Sequence, residues 1–402
     1  MNWKKVACFQ PSRLGTAIAE CSRTFMQEQH TMKPVNTRSA RSHLTRRSLV
    51  KASALAAFAA FPHVLRAQAK DKVTFSLSWV PQASNAYAYI ARSKGFWSKR
   101  GIDVDIVRGF GSVPTALAVG EGKFPFGLAL SGAIILAATR GSPVACVGIE
   151  SYKFQMGVAA HPDSGILDFK DLEGKTIGGV LNSGESPFRK LLAERAGFDL
   201  SKVNINNVDI SILEQSVMQR QVDAIFCIGL SSLPPMLAAG FKPKFLPADK
   251  FKVDLYGVSL ITQQRMVETN PDLCQRFVDG ALEAVAYTMA NPDECIDIFM
   301  REVPELALSK NGKQFVKSGM EIWIDSLLAA EPKAQGMGWS DEKAVNEAID
   351  MVMTYVAPAG AVRPDPRKLF TNSFAGKIKP SPKDWTIAAN WSENGGKILA
   401  GN

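Results

Sequence analysis

Residues able to do catalytic chemistry are scarce over most of this 402-residue chain. Beyond residue 69 one histidine remains, His161, followed by Pro162 and Asp163 in what reads as a surface turn. Any Ser–His–Asp set would have to include it. No HxxxH, HExxH or Cys/His cluster offers zinc a site, and the Gly-x-Ser-x-Gly and P-loop patterns are absent. Gly178-Gly179 follows a strand pattern without completing a dinucleotide fingerprint. Asp103 and Asp105 alternate within a strand pattern, as a solvated face does. Cys146 and Cys227 fall in apolar runs and read as core thiols, while Cys274 and Cys295 leave a disulfide open in an oxidising compartment. The expectation is a chain with no catalytic residue, no metal and no cofactor, so enzyme is the weaker class.

Binding is better supplied. Helix patterns begin just after strand patterns at Trp79–Asn85, Gly111-Ser112-Val113-Pro114, Ser131-Gly132 and Asn182-Ser183-Gly184-Glu185-Ser186-Pro187. In open α/β sheets such loops lie at the carboxyl ends of strands, where ligands bind. Each helix start offers unpaired N–H groups and the positive end of a dipole. Ser186 with Pro187 also suits a plain N-cap and first helical position. The aromatics Trp79, Tyr87, Phe110 and Tyr152 lie in or beside these loops, where a ring next to a polar helix start can grip a flat solute. Trp79 is favoured, because it ends a strand pattern and precedes Pro-Gln-Ala-Ser-Asn. Candidate solute-binding residues are Trp79, Asn85, Tyr87, Ser112, Ser131, Gly132, Glu150, Tyr152, Ser183, Gly184, Glu185 and Ser186. Loops 79–87, 111–114 and 183–187 contain no Lys or Arg. Only Glu150, Lys153, Glu185 and Arg189 stand near them, which favours a neutral or aromatic organic solute over a small anion.

The elements that must position these loops alternate regularly. Strand patterns at Val73–Trp79, Asp103–Val107, Pro125–Ala129 and Val144–Ile149 are separated by helices at Ala86–Gly95, Pro114–Val119 and Ala133–Arg140. The pattern restarts with strands at Thr176–Val180, Asn204–Val208 and Asp223–Cys227 and helices at Pro187–Ala196, Ile212–Arg220 and Leu233–Ala239. This predicts mainly parallel, doubly wound sheets. After Tyr256–Thr262 the chain turns helical at 271–290, 292–301, 312–329 and 341–355, and a Pro- and Lys-rich tail from Ala357 to Lys383 is expected to wrap the surface. Two α/β lobes with a helical last third suggest one lobe inserted into the other, with crossings near Tyr152–Ala160 and Leu255–Gln263. The expected division is a leader at 1–69, a first lobe at 70–155, an inserted second lobe at 156–258, a return to the first lobe at 259–375, and a tail at 376–402.

The formal net charge of +9 does not belong to these lobes. Residues 1–69 hold 11 Lys/Arg against 2 Asp/Glu, and the basic and acidic side chains of the remainder balance. Nucleic acid is therefore not an expected partner. Within the leader, Arg46-Arg47-Ser48-Leu49-Val50-Lys51, a short apolar run from Ala52 to Phe61 and Ala67-Gln68-Ala69 form the parts of a signal peptide, resembling a twin-arginine signal. About 10 apolar residues cannot cross a hydrocarbon core that needs roughly 20. Met32 would give a leader of more usual length. The expected location is the periplasm.

At the loop residues the chain resembles a known family. Ser78-Trp79-Val80-Pro81-Gln82-Ala83-Ser84-Asn85-Ala86-Tyr87, then Lys94-Gly95-Phe96-Trp97, resembles the opening of ABC-transporter substrate-binding proteins of the nitrate/sulfonate/taurine and thiamine-pyrimidine-precursor branch. Ala118–Lys123 before Phe126-Gly127, Asp171–Ile177, Gly184–Phe188, Val222-Asp223-Ala224 and Asn270-Pro271 continue the match over nearly all of 73–375. The resemblance implies a type II periplasmic-binding-protein fold, with two doubly wound α/β lobes joined by a two-strand hinge and closing on a solute. It also implies a monomer that delivers its small-molecule solute to a membrane ABC permease. Trp79 matches the family's ring-contacting Trp, Ser131-Gly132 the loop after the third strand, and Gly184-Glu185-Ser186 the facing loop of the second lobe. Ser78, Gln82 and Asn85 replace the Asp, Asn and His of the pyrimidine branch, and Pro125 replaces an Asp. That counts against a pyrimidine solute and against the synthases of that branch, which rely on a histidine and a cysteine-rich motif. An aliphatic sulfonate or nitrate held by helix-start N–H groups is the alternative solute, and a pyrimidine-precursor synthase the weaker alternative activity.

Overall fold

Ten short strands build two five-stranded sheets, with the central ones apolar and buried. The computed structural model describes residues 70–401, so the leader lies outside the described residues. In chain order the strands are β1 (Asp71–Ser76), β2 (Ile102–Val107), β3 (Phe126–Leu130), β4 (Val144–Ile149), β5 (Met156–Ala160), β6 (Thr176–Gly179), β7 (Asn204–Asn207), β8 (Ala224–Ile228), β9 (Lys244–Pro247) and β10 (Val258–Gln263). The first sheet runs β2-β1-β3-β10-β4 and the second β7-β6-β8-β5-β9. Every residue of β3, β4, β5 and β8 is buried, as expected for strands covered by helices on both faces.

The two sheets repeat one plan. In each, a parallel β-α-β-α-β unit supplies three strands, and an antiparallel strand lies beside the third. That strand is β10 in the first sheet and β5 in the second. The sheets are mainly parallel, as expected: in each, four strands run the same way, and only β10 in the first, antiparallel to β3 and β4, and β5 in the second, antiparallel to β8 and β9, oppose them. Both antiparallel strands are segments expected to be interlobe crossings. Met156–Ala160 and Val258–Gln263 are apolar runs with nowhere dry to go except a sheet interior, and they fill one. The crossings are the stretches beside them, 150–155 and 248–257. Glu150 and Ser151 both donate from their backbone N–H to Val258 O at 3.0 Å, and Gly257 N donates to Ser151 O at 2.9 Å. The two crossings thus pair with each other in one ribbon.

Helices follow the strands as the patterns require: α1 (Ala86–Ser93), α2 (Ser112–Gly120), α3 (Ser131–Thr139), α4 (Arg189–Ala196), α5 (Leu213–Met218) and α6 (Gly229–Ala238). The later ones include α7 (Pro271–Ala290) and α8 (Gly312–Leu327). Phe277 of α7 stacks on Phe126 and on Trp97, with centroids 3.9 and 5.2 Å apart, which fixes α7 against the first sheet. Among the described residues the four cysteines are buried and free, so the disulfide left open between Cys274 and Cys295 is not formed. No described helix is long and apolar enough to cross a membrane.

Candidate functional site

The loops after β1 and β2 are built as one unit. Leu77 N donates to Val107 O at 2.8 Å, Gly109 N to Trp79 O at 3.0 Å and Gly111 N to Ser78 O at 2.9 Å, so the strand pairing continues into the loops. Asn85 closes the first loop on itself. Its Oδ1 accepts from Gln82 N and its Nδ2 donates to Val80 O, both at 3.0 Å. Trp79 lies in the bend after β1 and is half-buried, whereas Phe110 is 66% exposed and stacks under Arg108. Ser112 Oγ accepts from Leu130 N at 3.2 Å, tying the start of α2 to the end of β3. Ser131 donates twice into the second crossing, from N to Gly257 O at 3.1 Å and from Oγ to Tyr256 O at 2.6 Å. Several candidate polar atoms are thus spent on holding the loops rather than left free.

The second lobe presents residues 180–188. Ser183 Oγ donates to Val180 O at 2.8 Å and contacts the Glu185 carboxylate. Arg189 Nη2 bonds both Glu185 Oε1 and Val180 O at 3.1 Å, and its guanidinium lies 5.2 Å from the Phe226 ring centroid. Burial holds the Glu185 carboxyl above the usual carboxylate range, with Arg189 and Ser183 offsetting part of the shift. Ser186 does not cap a helix as the Ser-Pro signal suggested. The short 3-10 turn Ser186–Phe188 takes Glu185 as its preceding residue, without a side-chain cap bond, and α4 follows. Glu185 instead turns inward and pairs with Arg189.

The two sets of loops meet. A Cβ built on Gly111 would stand 2.4 Å from Asn182 O, one on Gly184 2.2 Å from Leu130 Cδ1, and one on Gly132 2.4 Å from Phe188 Cζ. Gln82 Nε2 donates across the same seam to Ser231 Oγ of α6 at 3.1 Å. At the hinge end, Tyr152 packs edge-on against Tyr256 with centroids 5.9 Å apart, and burial pushes its hydroxyl pKa up. Glu150 is wholly buried and accepts the indole N–H of Trp323 from α8. Burial holds its carboxyl well above the usual carboxylate range, while the Trp323 bond opposes the shift. Tyr87, expected as a loop aromatic, is instead buried in the first turn of α1, its ring stacked on Trp323 at 6.1 Å.

Trp79, Asn85, Ser112, Ser131 and Gly132 thus gather on the first lobe, with Ser183, Gly184, Glu185 and Ser186 facing them and Glu150 and Tyr152 at the hinge. Gln82, Phe188, Ser231 and Trp323 belong to the same seam and were not among the expected site residues. Trp323 sits in a helix of core periodicity, where its one clue was an indole N–H that needs a partner when buried. A crevice of about 650 Å³ lies elsewhere, lined by Arg195, Phe251, Asp254, Glu347, Asp350 and Tyr355. Its open, mixed-charge wall lacks the glycine-flanked helix starts of the seam, and the seam is the better site. His161 is remote in role: its Nδ1 accepts from Asp163 N at 3.1 Å, and its ring packs on Phe241. Among the described residues no three His, Cys, Asp or Glu side chains converge as a metal site.

The riboflavin-binding protein RibY of Chloroflexus aurantiacus is 25% identical over 316 residues, covering 76% of this chain and 86% of its own. A 4-amino-5-hydroxymethyl-2-methylpyrimidine phosphate synthase of Saccharomyces cerevisiae is 26% identical over 261 residues, covering 61% and 75%. Among solved structures, the periplasmic aliphatic sulphonate binding protein SsuA of Escherichia coli superposes with a TM-score of 0.56 at 15% identity, over 74% of this chain and 91% of that one. That likeness, with the strand orders above, makes the fold the type II periplasmic-binding-protein fold. The NMT1/THI5-like family model matches residues 82–295, and the chain belongs to that family.

Proposed function

We propose that the chain is the solute-binding component of an ABC importer. It grips a small aromatic or heterocyclic solute between its lobes and hands it to a membrane permease. The observation that carries this reading is the seam itself. Helix-start loops from two sheets face each other around a paired two-strand hinge, and glycines at 111, 132 and 184 let the loops come into contact. Hinged lobes that close on a solute are an established device for capture and release. Trp79 supplies an aromatic face, and the Arg189 cation is already matched by Glu185, so nothing here favours a small anion. The Arg46-Arg47 leader supports delivery to the periplasm by the twin-arginine route. A binding role rather than synthesis is supported by where His161 lies, capping a short turn away from the seam.

Native mass spectrometry of the protein taken from its own periplasm tests the reading. A non-covalent small-molecule adduct is expected. A covalently altered chain, or a solute that the protein transforms, would sink it.

A further inference from the structure

One buried carboxyl at the seam has no cationic partner. Glu150 follows β4, is wholly buried, and uses Oε1 to accept the Trp323 indole N–H. Its Oε2 has no hydrogen-bond partner among the described residues. The Tyr87 hydroxyl, carried by the ring stacked on the same indole, is likewise buried and unpartnered. The groups that bear on Glu150 are Trp323 and Tyr87, and neither is a cation. Glu185 makes the contrast, since it is answered by both Arg189 and Ser183. A buried carboxyl lacking both a cation and a second donor is costly, and such groups concentrate at functional sites. Its place fits: Glu150 opens the first crossing, paired to Val258 of the second, and Tyr87 follows directly on the 79–85 loop.

We infer that Glu150 and Tyr87 form the polar floor of the interlobe site, and that the solute carries a basic nitrogen which donates to Glu150 Oε2 and to the Tyr87 hydroxyl. This rests on the solute-binding reading above. The ligand class is thus a protonated amine, an amidine or an aminated heterocycle, and neither a sulfonate nor nitrate. The proton balance is explicit. A solute arriving as a cation displaces the carboxyl proton of Glu150 to solvent as the ion pair forms. One arriving as the free base takes that proton, and none is released.

Calorimetric titration of the purified full chain, of Glu150→Gln and of Tyr87→Phe tests this with three probe sets. The first is 2-aminopyridine and benzylamine, the second riboflavin and benzyl alcohol, the third ethanesulfonate and nitrate. Binding is expected in the first set, with at least a tenfold loss in Glu150→Gln and a severalfold loss in Tyr87→Phe. The ligand-free melting temperature of Glu150→Gln should be no lower than that of the parent, which separates a lost contact from a lost fold. Binding confined to the second or third set, or unchanged by Glu150→Gln, overturns the basic-nitrogen inference and leaves the solute-binding reading standing. Where no probe binds, a solute retained by the protein decides by its own formula, with a basic nitrogen supporting the inference and its absence overturning it. No probe bound and no solute retained overturns the solute-binding reading itself.

Discussion

Gln82 Nε2 donates to Ser231 Oγ at 3.1 Å, joining the loop after the first strand to the start of a second-lobe helix 149 positions later in the chain. The same amide nitrogen also donates to Ser84 Oγ at 2.9 Å, so the loop aims the group before the other lobe receives it. A hydrogen bond of this kind contributes about 0.5–1.5 kcal/mol net, and here it is made only when the lobes meet. Ser231→Ala should therefore shift the open–closed balance toward open by roughly three- to tenfold, with little change in melting temperature. Gln82→Ala should do the same, and the double variant should show a coupling energy, because the two groups share one bond. Small-angle scattering or paired fluorophores on the two lobes would read the balance. Fully additive effects would show that the bond does not latch the lobes.

Gly132 and Gly184 should prove intolerant of a single methyl group for a reason unrelated to backbone freedom. Neither has positive φ, and each faces the opposite lobe, Gly132 against Phe188 and Gly184 against Leu130. An added Cβ at 2.2–2.4 Å must push the lobes apart, and overpacking of this order costs about 1–3 kcal/mol. Gly184→Ala is expected to weaken solute binding about tenfold or more while each lobe keeps its fold. Normal affinity in both Gly132→Ala and Gly184→Ala would mean that solute-bound lobes do not close as tightly as the seam here.

Trp79→Ala should weaken binding more than it destabilises the fold. The indole is half-buried, in a bend whose shape is fixed by backbone bonds and by Asn85 rather than by the ring. A stacked aromatic contact is worth about 0.5–1.5 kcal/mol beyond its buried area, so the dissociation constant should rise severalfold or more. A collapsed melting temperature with an unchanged dissociation constant would instead make Trp79 a packing residue.

How much of this was legible beforehand varied with the kind of signal. Val144–Ile149 and Pro271–Ala290 were read at their exact bounds, the first as an unbroken apolar run and the second because Asn270-Pro271 marks a helix start. Met156–Ala160 carries the same apolar signal but reads as a crossing, because no local pattern says that a strand arriving from the other lobe lies antiparallel in the middle of a sheet. Lys244–Pro247 was missed, since its flanking Lys and Pro mask so short a strand. The helix Pro382–Trp391 was hidden by the Pro- and Lys-rich tail, although Ser381 and Asp384 form a capping box that spells its start. At the site, glycines and loop serines could be placed from their position after strands. Glu150 could be named as a candidate from its place at the end of a strand pattern, but its partner Trp323 could not, because a helix 173 positions away supplies it.

The buried carboxylates set the last expectation, a stability that declines as pH rises. Burial raises the pKa of Glu150, Glu185 and Glu214 above the ordinary value of 4.5. Above that value the native state holds protons that the unfolded chain has released. The contribution of these groups is thus intact below about pH 4.5 and is lost as pH climbs from there through their folded values. Surface carboxylates such as Asp171 and Glu173, held low by backbone N–H donors, act in the opposite sense and lose their contribution only as pH falls through their depressed values. Glu150 is the cleanest of the three buried groups to isolate, since Trp323 and Tyr87 face it and no cation offsets its charge. Ligand-free Glu150→Gln should melt with the parent near pH 4 and above it by about 1–3 °C near pH 8, because the amide keeps the Trp323 bond and never ionises. Melting curves of the two proteins across that range would decide the matter. A difference that stays constant with pH would show that burial does not raise the Glu150 pKa, the carboxyl ionising alike in the folded and unfolded chain.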